Sequence, residues 1–283
     1  MPESAASYWS GPPSGPHGVV WGVFAPNAPN LIDPSVLGVG GEETVAALGG
    51  LDLEHRIRPD AIVVASPHWQ SPGRFLVDTT PRPRFIEDFS GFPPAMYGHR
   101  YAPPGDPDLA HALVRAGSEA GLPVEASSAW GLDHGAWSAL SRMAPSATIP
   151  VVPLSSYPGD PAAHARWGQV VAEASESSGK AVAFVGTGQI LHNFSKFSFG
   201  PAAERWPEGE TIEGEILARM LRPDWESVAG YDPVRWRLAD PEGGLAPYFA
   251  LAGAVGQRLR PHLVANERCF GSAGMSVIEF RPR

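Results

Sequence analysis

Only one cysteine, Cys269, occurs in the 283 residues of this chain. An intrachain disulfide is therefore excluded, as is a metal site built from several thiolates, and a reducing cytoplasm is the expected setting. Runs of Lys or Arg are also missing. With a formal net charge of -9, the chain offers no electrostatic footprint for nucleic acid or for an anionic membrane surface. No apolar run reaches the roughly 20 residues needed to cross a bilayer, and no basic segment followed by an apolar stretch opens the sequence, so neither a membrane span nor a signal peptide is expected. There is no internal repeat, no nucleotide-binding glycine fingerprint and no G-x-S-x-G nucleophile elbow; GVGGEE at residues 38–43 lacks the lysine and spacing of a phosphate loop. These absences leave a small-molecule or protein partner.

What is present is material for a large core: 43% of residues are hydrophobic and 18% charged. One domain over residues 18–283 is expected, preceded by a loosely ordered Ser/Gly/Pro-rich tail at 1–17. The 32 glycines and 31 prolines lie between apolar segments and read as turns. Four apolar runs end in polar loops: Val19 to Phe24 before APNAPN, Ala61 to Ala65 before SPHW, Ile149 to Leu154 before SSYPGD, and Ala181 to Val185 before GTGQILHN. This is the pattern of buried strands. Helical spacing marks residues 42–57, 107–120, 160–178, 211–221 and 245–258. The alternation predicts an α/β fold, a central mixed or largely parallel sheet flanked by helices. Ligands of such sheets bind beyond the carboxyl ends of the strands, so Asn27, His68 and His192 are expected to converge at one rim.

His68, directly after a buried run, suits a metal ligand, a proton carrier or a histidine bonded to its own loop. His134 precedes a helix that Asp133 can cap, and Gly135 beside it permits close backbone approach; the imidazole is either functional or incidental to the cap. His192 follows a glycine-bearing turn and reads as a pocket residue or a buried structural one. Glu242 in LADPEGG is a third ligand or a charge favourable to the following helix. His17 lies at the wrong end of its strand, and His55, His111 and His164 fall on polar helical stretches. These, with His99 and His262, are assigned no role.

Taken in order, RPDAIVVASPHW, IEDFSGFPPAMYGHRYAPPGDPDLAHALV, AWGLDHGAWSALSRMAPSATIPVVPLS and GTGQILHN resemble the class III extradiol ring-cleavage dioxygenases, in their DOPA-dioxygenase-like branch. The resemblance runs from about Val19 to the C-terminus. It implies a catechol or aminophenol substrate, dioxygen and a mononuclear metal: iron(II) in ring-cleaving members, often zinc in structures of this branch. It places His68 at the second ligand histidine, His134 and His192 at the two histidines with acid/base and oxygen-binding roles, and Tyr97 in an aromatic block that either lines the substrate pocket or is structural; Asp133 is also expected on the substrate side. Two positions depart from the pattern. Asn27 stands where the first ligand histidine belongs, and an amide oxygen is a much weaker donor than imidazole. Gly243 stands where the DOPA-type branch carries its third histidine; Glu242 beside it offers the carboxylate that other branches use. The sequence thus supports ring cleavage with Asn27, His68 and Glu242 around the metal. It also leaves open a metal-free homologue, acting as a partner subunit or in non-oxidative chemistry, and either a homo- or a hetero-oligomer.

Overall fold

Apolar side chains on both faces of successive strands decide this architecture, because a sheet apolar on both sides must be covered on both sides. In the computed structural model, which describes residues 17–198, 203–222 and 224–283, the strands are β1 (Gly18–Ala25), β2 (Ala61–Gln70), β3 (Phe75–Asp78), β4 (Val124–Ser127), β5 (Val151–Ser156), β6 (Ala181–Thr187), β7 (Arg260–Cys269) and β8 (Ala273–Arg281). They form one sheet in the order β4-β3-β5-β2-β6-β1-β8-β7. The centre, β5-β2-β6-β1, is parallel. β8 runs antiparallel to β1, and β7 antiparallel to β8. The mixed α/β sheet expected from the sequence is the one observed.

The helices are α1 (Pro34–Leu37), α2 (Glu42–Leu51), α3 (Pro107–Glu119), α4 (His134–Met143), α5 (Pro161–Ser177), α6 (Pro207–Met220), α7 (Trp225–Ala229), α8 (Pro233–Ala239) and α9 (Ala246–Val255). Ala61, Val63 and Ala65 of β2, with Val182 and Phe184 of β6, pack with Leu113 of α3, Trp167 of α5 and Leu251 of α9. Ile62, Val64, Ala183 and Val185 point the other way, to Leu48 of α2 and Trp137 and Leu140 of α4. Part of the proline content starts helices: α1, α3, α5 and α8 each begin Asp-Pro, the aspartate accepting a backbone N–H and the proline occupying a position whose N–H has no intrahelical partner.

Three expectations need correction. The stretch 42–57 is not one helix: α2 stops at Leu51, Asp52 takes a positive φ of 43°, and its carboxylate bonds the His55 N–H to start a separate turn over Leu53–Ile57. The strand expected from Ile149 begins at Val151, where pairing with Ile62 of β2 starts, and it continues to Ser156. His164 is buried rather than on a polar face. It bonds the Asp160 carbonyl through Nδ1 at 2.8 Å, accepts the Tyr157 N–H at 3.2 Å, and its pKa is lowered by burial. The tail expected at 1–17 lies, apart from exposed His17, outside the described residues. Cys269 is buried beside Asn30, and burial pushes its thiol up to about 12, so it supplies no thiolate. No helix among the described residues is long and apolar enough to cross a membrane.

Candidate active site at the rim of the sheet

The parallel strands β1, β2 and β6 end at one rim. There β2 outlasts its neighbour: pairing with β5 runs from Ile62 to Ala65 and then jumps to Gln70, so Ser66–Trp69 bulge out of the ladder and carry His68 clear of the sheet. Asn27, two residues past β1, is buried, its carbonyl accepting the Ser138 hydroxyl of α4 at 3.3 Å. Glu242 sits in the turn before α9, where Gly243, Gly244 and Leu245 all have positive φ. At Gly243 a Cβ would lie 2.7 Å from Pro67 Cβ in addition to the φ of 56°, so this backbone has no room for a side chain there.

These three residues meet, although the sequence separates them by up to 215 positions. Asn27 Nδ2 donates to Glu242 Oε1 at 3.0 Å and lies 3.5 Å from His68 Nε2; His68 Nε2 and Glu242 Oε1 are 2.9 Å apart. The other Glu242 oxygen, Oε2, is buried without a hydrogen-bond partner. Burial opposes its charge, yet His68 and His192 hold its carboxyl below the ordinary range.

Asp88, which the sequence reading did not single out, organises the opposite side. Its Oδ2 accepts from His68 Nδ1 at 2.8 Å; its Oδ1 accepts from both the ring Nδ1 and the backbone N–H of His134, each at 2.7 Å. The two imidazoles pack edge to face, 4.4 Å between centroids. A carboxylate on Nδ1 places the proton of a neutral ring there and leaves Nε2 as the acceptor. Burial works against a charge on His68, but Asp88 and Glu242 outweigh it and push the group up to about 10. Asp88 is correspondingly held far below the usual carboxylate range, against the effect of its own burial, by His134 and His68.

Asp133 and Tyr97 stand behind the cavity wall rather than in it. The Asp133 carboxylate is fully engaged, accepting Ser66 Oγ at 2.6 Å, Trp130 Nε1 at 2.7 Å and the Ala136 N–H at 3.0 Å, while burial raises its pKa. It caps α4 as expected. Next to it, a Cβ on Gly135 would lie 2.5 Å from Ser66 Oγ and 3.1 Å from His68 Cγ, which is the close approach anticipated for that glycine. Tyr97 stacks on Phe89 at 5.1 Å and accepts the Phe92 N–H through its hydroxyl. Phe89, not Tyr97, lines the cavity.

That cavity, about 640 Å³, is bounded by Asn27, His68, Asp88, His134 and Glu242 on one side and by His192, Phe194 and Phe197 on the other. Its size is in the range that holds organic ligands. His192, placed by its backbone bond to the Ala239 carbonyl at 2.9 Å, packs against Phe194 and Phe197, 4.5 and 5.8 Å between centroids. The rim convergence of Asn27, His68 and His192 is thus observed, with His134 and Glu242 joining them.

Two overlapping groups have the chemistry of a metal site. His68, Asp88 and His134 hold ligand atoms within 4.8 Å of one another and could hold a metal. Asn27, His68 and Glu242 offer an amide, an imidazole and a carboxylate, with Glu242 Oε2 unpartnered and Asp88 behind His68 in the position of a carboxylate that orients a ligating imidazole. The second set fits a divalent ion better, because both Asp88 oxygens are already occupied by imidazole N–H groups.

The fold and this histidine- and carboxylate-lined cavity define an α/β protein with a candidate active site at the rim of its sheet. Over residues 51–277 the chain matches the family described as the catalytic LigB subunit of aromatic ring-opening dioxygenase, and it belongs to that family. It is 35% identical over 189 residues to the 4,5-DOPA dioxygenase extradiol of Escherichia coli (strain K12), a match spanning 66% of each chain. It is 31% identical over 219 residues to the protein of the same name from Beta vulgaris, covering 74% of this chain and 78% of that one. The crystal structure of an uncharacterized Escherichia coli K12 protein aligns with a TM-score of 0.69 at 24% identity, over 92% of this chain and 99% of that one; this likeness supports the fold.

Proposed function

We propose that the chain cleaves the ring of a catechol or aminophenol with dioxygen in the extradiol manner, using iron(II) held by His68 Nε2, the Glu242 carboxylate and Asn27, whose amide turns over so that its oxygen replaces the Nδ2 that faces His68 and Glu242 without the ion. The observation that carries this reading is the meeting of Asn27, His68 and Glu242 at one end of an aromatic-walled cavity, with a buried, unpartnered Glu242 oxygen. When bound, the metal supplies the Lewis acidity and redox capacity that a diol or aminophenol and dioxygen need to react. Asp88 fixes the tautomer of His134, whose Nε2 then accepts a proton from a ring hydroxyl. His192, on the facing wall, is placed to return a proton as the ring opens. Phe89, Phe194 and Phe197 exclude water from the ring. Residues 18–283 act as one catalytic unit on this reading, and the single cysteine supports a cytoplasmic setting.

A second reading has its own observation. His68 carries a carboxylate on each ring nitrogen, so an imidazolium satisfies the network without an ion, as in a metal-free homologue that partners an active subunit or runs non-oxidative chemistry. Metal content after anaerobic reconstitution with iron(II), followed by oxygen uptake with catechols and aminophenols, separates the two. Near-stoichiometric iron with uptake, both lost in His68→Ala, is expected from ring cleavage. A full-activity, full-metal His68→Ala variant, or a wild type with neither metal nor uptake, overturns it.

A further inference from the structure

Resting on the ring-cleavage reading and its turned Asn27 amide, we propose that Gln189 is the positioning residue for that ligand: Gln189 Oε1 accepts the Asn27 N–H that swings away when the Asn27 oxygen takes the ion.

Topology brings the two residues together. Ala25 of β1 is paired with Thr187 of β6, and Asn27 and Gln189 each lie two residues beyond that pair, at the rim. β1 runs between β6 and β8. The Gln189 side chain nevertheless reaches from the end of β6 to β8, where Nε2 donates to the Gly274 carbonyl at 3.3 Å and to Met275 Sδ at 3.4 Å. It therefore crosses the end of β1, where Asn27 sits. Continued three residues, the antiparallel register of Phe24 with Ile278 sets Asn27 level with Met275. Gln189 also accepts the Glu242 N–H through its backbone carbonyl at 3.0 Å, so it adjoins two of the three proposed ligands.

Donors and acceptors are out of balance here in a way that a turned amide corrects. Both neighbours of Gln189 Nε2 are acceptors, which fixes the nitrogen on that side and leaves Oε1 as the free end. Gln189 is buried and lines the cavity, yet among the described residues nothing donates to its Oε1 or to Asn27 Oδ1. Without an ion, Asn27 points its nitrogen at Glu242 Oε1, because a carboxylate calls for a donor. A cation in that place reverses the demand and calls for the amide oxygen. The displaced NH2 must then find an acceptor or stay buried and unpaired, which is strongly unfavourable. Gln189 Oε1 is an acceptor at the neighbouring strand end with no donor of its own. Turning the Asn27 amide converts two idle acceptors into a metal ligand and a hydrogen bond, and a partner of this kind orients a ligating side chain.

The test is a double-mutant cycle on iron(II) affinity, measured anaerobically by chelator competition in the wild type, Gln189→Met, Asn27→Ala and the double variant. Methionine keeps the length of the side chain and the backbone bond to Glu242, but its thioether is a weak acceptor. Gln189→Met is expected to lower affinity about 10-fold when Asn27 is present and less than about twofold when it is alanine, since the truncated side chain leaves no amide to hold. An equal loss in both backgrounds would make Gln189 a brace for the loop, and no loss in either would leave it without a role; each result overturns the proposal. A second readout needs no substitution. Zinc(II), which is diamagnetic, is expected to strengthen the nuclear Overhauser contact between the Asn27 side-chain amide protons and the Gln189 γ-protons, and a contact that zinc leaves unchanged or weakens overturns the proposal. A wild type that binds no iron overturns this inference and the ring-cleavage reading together, whereas bound iron with oxygen uptake but an additive cycle overturns the role of Gln189 alone.

Discussion

Asp88 holds His68 by Nδ1 at 2.8 Å, on the side of the ring opposite Glu242. The imidazole is therefore clamped between two carboxylates rather than merely packed in a cleft, and its Nε2 has one permitted direction. Since the same carboxylate also bonds the ring and the backbone of His134, one side chain sets the orientation of both histidines. Asp88→Asn, which keeps the shape and loses the charge, is expected to lower kcat/KM and iron affinity by about 10- to 100-fold, the usual effect of removing a partner behind a metal-bound histidine. Steady-state kinetics and chelator competition check this; unchanged values would mean that Asp88 only braces the loop.

Asn27 offers the weakest donor of the proposed set. Asn27→His places an imidazole where an amide now stands, and iron(II) or zinc affinity is expected to rise by roughly tenfold or more, because imidazole outranks an amide oxygen for these ions. Metal titration against a chromophoric chelator measures it. A variant that folds with no gain in affinity would show that the ion, if bound, does not touch position 27.

At Gly135 the issue is space. Gly135→Ala would drive a methyl to 2.5 Å from Ser66 Oγ, and the hydroxyl cannot yield without giving up its bond to Asp133. A loss of roughly 1–3 kcal/mol is expected in urea unfolding, the range for overpacking a tight site. A variant as stable as the wild type would contradict the tightness of this contact.

Away from the site, Glu213 of α6 is completely buried against Arg268 and within 3.2 Å of Ser276 Oγ. Burial pushes it up to about 7, outweighing Arg268 and Ser276, from an ordinary 4.5. The folded chain then keeps a proton that the unfolded chain releases between those values, so stability is greatest below about pH 4.5 on this account and falls as pH rises through 7, by at most roughly 3 kcal/mol. Glu213→Gln has no proton to lose and is expected to flatten the stability profile between pH 5 and 7. Denaturant melts at half-unit steps are the check; an identical slope in the variant would assign the dependence elsewhere.

Much of this site could be read before any coordinates because its residues follow strands. Asn27, His68 and His192 each come just after an apolar run, and parallel strands deliver their ends to one rim. Glu242 was legible only as a carboxylate beside a missing histidine; the left-handed turn through Gly243 explains why the side chain sits at 242. Asp88 was not legible, because it lies in a long coil whose position depends on distant bridges such as Phe85 with Leu132, and nothing local signals them. The same limit hid the aromatic wall: Tyr97 and Phe89 are eight residues apart in one Phe- and Pro-rich block, and only the packed ring pair shows which of them faces inward. The edge strands β4 and β7 are mixed in polarity and partly exposed, and the inner β8, though buried, is interrupted by Ser276 and Glu279, so none of them shows the unbroken apolar run that marks the central strands.

The bulge in β2 divides labour within the cavity. His68 rides on the framework, where strand pairing before and after it fixes the reactive end, whereas Phe194 and Phe197 ride on an arm outside the sheet. Chemistry and appetite are therefore separable traits in this protein. Changes along residues 194–197 are expected to redirect which aromatic compound is admitted while the reacting groups keep their register, so selection on that arm is a route by which new substrates would be acquired, in nature or in the laboratory.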